Sequence, residues 1–457
     1  MKQMKQLITI LVLIALIMLL KAHGSVAQDS MRRISRREAV NLALENNLNL
    51  QNSKLEVEKS EHSKQEAKNM LYPQIEGYSD FLYSYAIPRM AIPGEILGQS
   101  GSVPVEFGTT FDWSLGIRAT QIIYNKSYFT SLQVADKMVG LNELNLLQQQ
   151  EQIAEQVSQV YYLCQSTSHQ MTQMEISLQN MDTLLLISEK QLENQLIRPV
   201  DLARIKIDKN NLQNQMDQLG MLHAHQLNLL KYLLGIPHEQ PLLLVDTLQP
   251  ADAIYTEFKA DSRTEIQLID QQIDLTQLDR KINNQAFLPT LSLSVNQFYQ
   301  GMRDEFDFFD GGNDVFFNAG IVGLHLSVPV FDGFAKKQKR HQQQIRLMQL
   351  QNNRKNIRRF LINEYSHAWQ QYENVKNNFE RQKQIIQWSE DNYQVNLMGY
   401  QEQVTSLTDL LLAENGLTEA RLTYFNSLLE LKNAELTLEK LSGNLRQISS
   451  ANLNHFN

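Results

Sequence analysis

The sequence predicts a mainly helical protein with a membrane β part, in which long coiled-coil helices are combined with four amphipathic strands. Two proline-free segments of about seventy residues predict the helices, and four segments of alternating apolar and polar residues predict the strands. A third observation is an internal duplication, because the order helix, strand, loop, strand, long helix, turn, long helix occurs twice. Helices of this length do not fold around one compact core, so we expect an elongated assembly.

The N-terminus has the pattern of a signal peptide over residues 1–27. Lys2 and Lys5 form a basic start, residues 7–20 are apolar apart from one Thr, and Ser25-Val26-Ala27 resembles a cleavage site. The apolar run is short for a membrane span of about 20 residues, so a retained anchor is the less favoured alternative.

The formal net charge is −8, and the peptide itself contributes only positive charge. An acidic exported chain argues against nucleic acid as a partner.

Four segments predict strands, at residues 74–86, 107–124, 290–300 and 316–328. In the second segment the odd positions from Phe107 onward are mostly large and apolar, whereas the even positions are Gly, Thr, Asp, Ser or Arg. Strands of about 10 residues with one apolar face are typical of transmembrane β-barrels. The connecting loops, residues 87–106 and 303–315, are expected to face the outside of the cell.

Four strands are too few to close a barrel, because small barrels need about eight. A lipid-facing sheet with open edges would leave unpaired backbone groups in hydrocarbon, which is strongly unfavourable. We therefore expect several copies of the chain to pool their strands. The alternative, a soluble sandwich or a small sheet capped by helices, leaves the signal peptide and the long helices unexplained.

The length of the proline-free segments and the signals at helix ends predict the helices. Residues 127–194 would form roughly 100 Å of helix at about 1.5 Å per residue, and residues 334–402 form a matching segment. Capping-box spacing predicts two further helix starts, at Ser35 with Glu38 and at Ser262 with Glu265. Pro73 and Pro289 predict the ends of these two helices.

The duplication divides the chain into two halves. Asp201 and Asp409 occupy equivalent positions about 208 residues apart, and Gly235 and Gly443 keep the same spacing. We expect a first repeat over 28–240, a linker over 241–260, a second repeat over 261–445 and a C-terminal tail over 446–457.

Several stretches resemble the TolC family of outer-membrane efflux proteins, the outer membrane factors. They are LPTLSLSVNQF after a helix, LHLSVPVFDGF at a strand-to-helix junction, SLTDLLLAENGLTEARL on a late helix, and ISRREAVNLALENNLNL near the N-terminus. The resemblance covers about residues 34–445.

The resemblance implies a homotrimer with a shared twelve-stranded β-barrel in outer-membrane lipid. It also implies a long periplasmic α-barrel and a mixed equatorial region near the chain termini and residues 234–254. The implied partners are a periplasmic membrane-fusion adaptor and an inner-membrane pump or exporter. The chain would be the passive conduit of an efflux or type I secretion system, without enzymatic activity, cofactor or metal. The alternative function is an exported periplasmic coiled-coil scaffold, which shares the long helices but has no need of lipid-facing strands.

The resemblance also implies which residues form the channel mouth. Asp409 matches the family aspartate whose threefold ring narrows the channel, and Asp201 is its counterpart in the first half. A helix N-terminal aspartate stabilised by the helix dipole is the alternative for both, and the favoured one for Asp201. The position of a second family aspartate falls near Leu412, which predicts an apolar constriction or no second ring.

The tips of the helical hairpins depart from the family pattern. The tip glycines of the family fall at Gln195 and Gln403 in this chain. The segments expected to dock the adaptor are Gln195, Leu196 and Ile197 in the first half and Gln403, Val404 and Thr405 in the second. Losing both glycines indicates an altered contact or a dedicated adaptor.

Other candidate sites are weak. His223 and His225 are two residues apart on a helix and point away from each other, which is poor geometry for a metal. The acidic loop with Asp307, Asp310 and Asp314 lacks the spacing of an EF-hand and is better interpreted as a solvated loop. The only cysteine, Cys164, lies on an apolar helix stripe and is expected to pack rather than react. The basic run 336–340 fits lipid phosphate or a plain solvated helix face equally well.

Overall fold

The computed structural model describes residues 32–98, 100–250, 258–309 and 316–445. The predicted signal peptide, part of the predicted linker and the C-terminal tail lie outside the described residues. The helices are α1 (Arg36–Asn46), α2 (Leu48–Asn69), α3 (Lys126–Glu193), α4 (Pro199–Leu234), α5 (Thr264–Gln285), α6 (Ala335–Gln401) and α7 (Leu407–Leu441). The strands are β1 (Arg32–Ile34), β2 (Gln74–Tyr83), β3 (Arg89–Pro93), β4 (Ser102–Glu106), β5 (Phe111–Tyr124), β6 (Leu242–Leu244), β7 (Thr290–Arg303) and β8 (Phe317–Ser327).

The chain forms two compact units, each of which draws segments from both sequence repeats. The hairpin unit contains residues 32–51, 149–259 and 361–445, as far as they are described. The sheet unit contains the described residues of 52–148 and 260–360. The predicted long helices are present, since α3 has 68 residues and α6 has 67, and each belongs in part to both units.

In the sheet unit, four strands form one antiparallel sheet in the order β2-β5-β7-β8. Phe81 pairs with Trp113 of β5, and Ile117 of β5 pairs with Gln297 of β7. Only β5 and β7 are paired on both sides within the described chain, so β2 and β8 are the edges. The predicted strands are therefore confirmed with shifted ends. β5 begins at Phe111 rather than Phe107, because Gly108 interrupts the extended backbone with a φ of 131°.

In the hairpin unit, α3 with α4 and α6 with α7 form two helical hairpins around a shared apolar core. Near the hairpin ends this core contains two methionines, two tyrosines and seven aliphatic residues. They are Met174, Met181, Leu184, Ile205, Leu212, Tyr393, Tyr400, Leu407, Leu410, Leu411 and Leu417. The short strands β1 and β6 pair in parallel in the same unit, near residues that the resemblance assigned to an equatorial region.

The helix starts were only partly predictable. Ser35 and Glu38 form the expected capping box, in which Glu38 Oε2 accepts from the Ser35 backbone N–H at 2.8 Å. The second predicted box is wrong: Ser262 lies in a short 3₁₀ turn, and α5 begins after Arg263 without a side-chain cap. The helix expected from Ser35 to Pro73 is also interrupted at Asn47, which has an extended ψ of 118°. No helix among the described residues is long and apolar enough to cross a membrane.

Candidate functional site

One face of the four-stranded sheet is largely apolar. Because directly paired residues of an antiparallel sheet share a face, the register places Ile117 with Gly77 and Gln297, and Trp113 with Phe81. Ile117 is 58% exposed and Leu324 of β8 is 70% exposed, although both are large aliphatic residues. The apolar face comprises Ile75, Phe81, Tyr83, Phe111, Trp113, Leu115, Ile117, Ala119, Leu291, Leu293, Val295, Tyr299, Val322, Leu324 and Leu326. An apolar surface of this extent requires a nonaqueous environment or a partner.

The opposite face of the sheet carries a connected set of polar side chains. Arg118 of β5 donates to Glu76 of β2 at 3.2 Å, and its guanidinium lies 4.8 Å from the ring centroid of Tyr78. The Tyr78 hydroxyl in turn donates to Asn296 of β7 at 3.1 Å. These contacts link side chains of three strands. Hydrogen bonds therefore hold the polar side chains in place on this face, which is the face where water would be expected. The two faces together match the outer and inner surfaces of a water-filled β-barrel.

An aromatic cluster, which the sequence did not predict, covers one end of the apolar face. Phe308, from the segment after β7, lies 6.1 Å from Phe81 and 5.6 Å from Trp113 between ring centroids, and is only 6% exposed. Phe306 is 5.7 Å from Phe111. The acidic residues of this segment suggested a solvated loop, but its phenylalanines bind it to the sheet.

The opposite end of β8 leads through an exposed apolar turn into the predicted basic run. Val330 and Phe331 are 93% and 74% exposed, and Gly333 and Phe334 have φ values of 63° and 65°. In the basic run, Lys336 pairs with Asp332 at 3.8 Å. The turn therefore presents apolar side chains next to lysines at one end of the sheet.

At the first hairpin tip, α3 ends in a Schellman motif with glutamine at the left-handed position. Gln195 has a φ of 61°, and the backbone N–H of Leu196 donates to the Gln191 carbonyl at 2.8 Å. The left-handed conformation is one that glycine adopts most easily, which agrees with the glycine that the resemblance implies at this position. Leu196 is 58% exposed.

The second tip repeats this geometry. Gln403 also has a φ of 61°, and the Val404 N–H donates to the Gly399 carbonyl at 2.8 Å. Val404, which is equivalent to Leu196, is 84% exposed. Both predicted tip segments therefore lie at turns between two helices, and each presents one exposed aliphatic side chain.

Both predicted mouth aspartates stabilise the first turn of a helix. Ser406 donates to Asp409 Oδ2 at 2.6 Å and accepts from the Asp409 N–H at 3.2 Å. Asp201 accepts from the Arg198 guanidinium at 3.0 Å, and this hydrogen bond lowers the pKa of Asp201. These contacts give each carboxylate the capping role that was the alternative in the sequence. Each helix start therefore carries a negative charge close to a hairpin tip.

The two hairpins are linked close to their tips by polar contacts. The Tyr400 hydroxyl of α6 donates to Gln191 Oε1 of α3 at 3.0 Å and lies 3.2 Å from the Ser188 hydroxyl. Arg204 of α4 donates to Thr408 of α7 at 2.8 Å. Leu412, where the sequence predicted an apolar constriction, is 65% exposed.

The remaining candidates do not form sites among the described residues. Cys164 is buried, and burial raises the pKa of its thiol to about 12, as expected for a packing residue. His223 is half-buried whereas His225 is exposed. No group of three or more His, Cys, Asp or Glu in the described part of the chain is placed to hold a metal ion. Asp310 and Asp314 of the acidic loop lie outside the described residues.

Comparison with known proteins supports the class that the sheet and hairpins define. Residues 260–444 match the family model described as outer membrane efflux protein. The described fold is similar to the outer membrane protein VceC of Vibrio cholerae, with a TM-score of 0.70 at 15% identity over 89% of this chain and 96% of that one. For the outer membrane channel CmeC of Campylobacter jejuni, the TM-score is 0.70 at 15% identity, over 91% of this chain and 89% of that one.

The outer membrane channel MtrE of Neisseria gonorrhoeae gives a TM-score of 0.69 at 14% identity, over 89% of this chain and 88% of that one. No curated protein sequence matches the chain. By sequence, residues 260–444 match the family of outer membrane efflux proteins, and the fold of these channels extends over most of the length of the chain. The resemblance to the TolC family is thereby confirmed.

Proposed function

We propose that this chain is the outer-membrane channel component of a tripartite efflux or type I secretion system. The observation that carries the proposal is the sheet with one largely apolar face, an opposite face that carries a connected set of polar side chains, and two free edges. In lipid, the apolar face would meet the acyl chains while the polar face lines a water-filled duct. The channel would be passive, because transport would be driven by its partners and no catalysis of its own is needed.

The free edges support assembly as a homotrimer. β2 and β8 each have one unpaired side within the described chain, and such edges are strongly unfavourable in hydrocarbon. Pairing β8 of one copy with β2 of the next satisfies both edges. Three copies supply twelve strands, which exceeds the roughly eight that a small barrel needs. A periplasmic scaffold would have no use for the apolar face, and no specific observation favours it.

The hairpin tips are the surface proposed for the periplasmic adaptor. Leu196 and Val404 are exposed at equivalent positions, beside the left-handed glutamines Gln195 and Gln403. Thr405 and Ile197 complete the two tip segments. An inner-membrane pump or exporter would supply the substrate through the adaptor, and opening would require the two hairpins to untwist at the contacts of Tyr400 and Arg204. Crosslinking from position 403 followed by pull-down would identify the adaptor.

The aspartates at the hairpin ends are proposed to narrow the mouth of the duct. In a trimer, three copies of Asp409 near the axis would place like charges together and favour cations. The variant Asp409→Ala removes the charge and also the partner of Ser406. Asp409→Asn removes the charge but keeps an oxygen that can accept from Ser406, so it separates the ring from the helix cap.

We expect both Asp409 variants to raise the single-channel conductance in planar bilayers and to weaken cation preference. Asp201→Asn should have the smaller effect, because Arg198 neutralises this carboxylate locally. Asp391→Asn, an exposed aspartate on α6, is the matched control and should behave as the parent. Parent-like conductance and selectivity in both Asp409 variants would show that the ring assignment is wrong, and absence of any channel would contradict the proposed function.

A further inference from the structure

A glutamate is buried in the core that joins the two helical hairpins. Glu414 of α7 is 2% exposed and lies between Leu410 and Leu417, which belong to the apolar core on the same face of the helix. Neither of its carboxyl oxygens has a hydrogen bond of good geometry among the described residues, and only Ser177 and Asn180 of α3 lie near enough to interact with it as donors. A fully buried carboxylate with such weak partners is strongly unfavourable, so this side chain requires a specific explanation.

Most polar groups around Glu414 are engaged with other partners, although Nη1 of Arg421 is buried and has no hydrogen-bond partner among the described residues. The Ser177 hydroxyl of α3 and the Thr418 hydroxyl of α7 form a hydrogen bond of 2.7 Å. Arg421 of α7, one turn further on, donates to Glu390 of α6 at 2.7 Å. The remaining polar neighbours are Asn180 of α3 and Tyr393 of α6, and burial raises the pKa of Tyr393 to about 12, so it is neutral. From α4 the core receives Ile205 and Leu212, which carry no charge.

The charges in this cluster balance only when Glu414 is protonated. Arg421 supplies one positive charge and Glu390 one negative charge, and their side chains are 10% and 37% exposed. An ionised Glu414 would add a second, buried negative charge that has to share the single positive charge of Arg421 with Glu390. Burial accordingly raises the pKa of Glu414, and the nearby Ser177, Arg421 and Asn180 oppose this shift only in part.

We propose that Glu414 is a proton-binding site that couples the packing of the two hairpins to pH. The packed arrangement binds the proton more tightly than a loosened one in which water reaches the carboxyl group. The packed state is therefore most stable below the ordinary pKa of a glutamate and loses stability as the pH rises through the raised value. Each pKa unit of difference between the two arrangements corresponds to a change of about tenfold in the opening equilibrium.

Hydrogen exchange of the α7 backbone amides in the purified full-length protein tests this directly. After correction for intrinsic exchange rates, we expect the opening equilibrium constant of the parent to rise about tenfold or more between about pH 5 and pH 8. Glu414→Gln should remove this dependence and keep the packed state at both values. Glu419→Gln, an exposed glutamate five residues further along α7, is the matched control and should retain it.

For a second variant, the proposal predicts a different pH dependence of exchange. Glu390→Gln would free Arg421 to pair with an ionised Glu414, so the dependence on pH should become weaker without disappearing. Should Glu414→Gln fail to fold, the infrared carbonyl band of a protonated carboxylic acid in the parent gives the same information, because it must persist above the ordinary pKa of glutamate. The proposal is overturned if exchange in the parent is independent of pH, if Glu414→Gln retains the dependence, or if that band is absent.

The consequence for conductance, and only this, depends on the proposed function. If the duct opens where the hairpins loosen, the parent should conduct more at about pH 8 than at about pH 5, and Glu414→Gln should not. Exchange that follows pH in a protein that forms no channel would refute the proposed function and leave the proton site standing. A protein that conducts but shows no pH-dependent exchange would support the proposed function and refute the proton site.

Discussion

Glutamine stands at the two positions where the hairpin tips require a left-handed backbone. Gln195 and Gln403 both have a φ of 61°, and each closes a Schellman motif at the end of a long helix. A side chain in this conformation is unfavourable by about 1–2 kcal/mol, because Cβ approaches the following carbonyl oxygen. The two tips thus have the backbone conformation of a glycine-containing turn, but with glutamine at the left-handed position, where its Cβ introduces strain.

Replacing Gln403 with glycine should stabilise the hairpin unit. We expect Gln403→Gly to raise the free energy of unfolding by about 1 kcal/mol, since relief of the strain exceeds the added flexibility of the unfolded chain. Denaturant unfolding monitored by circular dichroism measures the effect. Gln403→Ala keeps Cβ and is the matched control, with no change expected. A destabilised glycine variant would mean that the glutamine side chain makes a stabilising contact of its own.

The sequence located these residues but not their conformation. The spacing of about 208 residues between the repeats was sufficient to place Gln195 and Gln403 at equivalent tips. The left-handed φ could be expected only from the resemblance, because glutamine carries no preference for it. The capping contacts of Asp201 and Asp409 followed from their position in the first helical turn, whereas the burial of Glu414 depends on tertiary packing that spacing does not show.

At the scale of elements, the alternation of side chains decides which face of the sheet meets lipid. Ile117 and Thr120 are both exposed on β5, but the register places them on opposite faces, Ile117 paired with Gln297 and Thr120 with Ser294. A charge in the middle of the lipid-facing side of such a barrel destabilises it by about 2–4 kcal/mol, whereas the inner face tolerates polar residues.

Lysine at these two positions should therefore have unequal effects. We expect Ile117→Lys to reduce the yield of folded protein in the outer membrane severely, and Thr120→Lys to leave it close to that of the parent. Heat-modifiable migration on gels of isolated outer membranes measures the folded fraction. Equal yields of the two variants would mean that the sheet does not face lipid in the way its register indicates.

Elements with a strong period were predictable, and locally ambiguous ones were not. β2, β5, β7 and β8 followed from alternation, and α3 and α6 from their length. The hairpin of β3 and β4 was interpreted as a loop, because Pro93 and Pro104 obscure its short strands. Ser262 and Glu265 have the spacing of a capping box, but Ser262 lies in a 3₁₀ turn, so the local pattern did not determine where α5 begins.

At the scale of the whole molecule, a single chain forms a sheet with two unpaired edges. β2 and β8 are edge strands, and the apolar face they border is exposed. The sequence could predict this incompleteness by counting strands, but not the number of copies, since closure is a property of the assembly. Twelve strands from three copies is the count that the resemblance implies.

Crosslinking between the two edge strands is the most direct test of this account. Asp80→Cys in β2 and Ile321→Cys in β8 would be combined in one chain and treated in intact cells with a short thiol-reactive crosslinker. We predict that crosslinking gives covalent dimers and trimers but no larger species, and that these are recovered in the outer-membrane fraction. Either single-cysteine variant, as the control, should give no such series of crosslinked species. Only monomers, a ladder beyond three, or recovery as soluble periplasmic protein would contradict a closed trimeric duct.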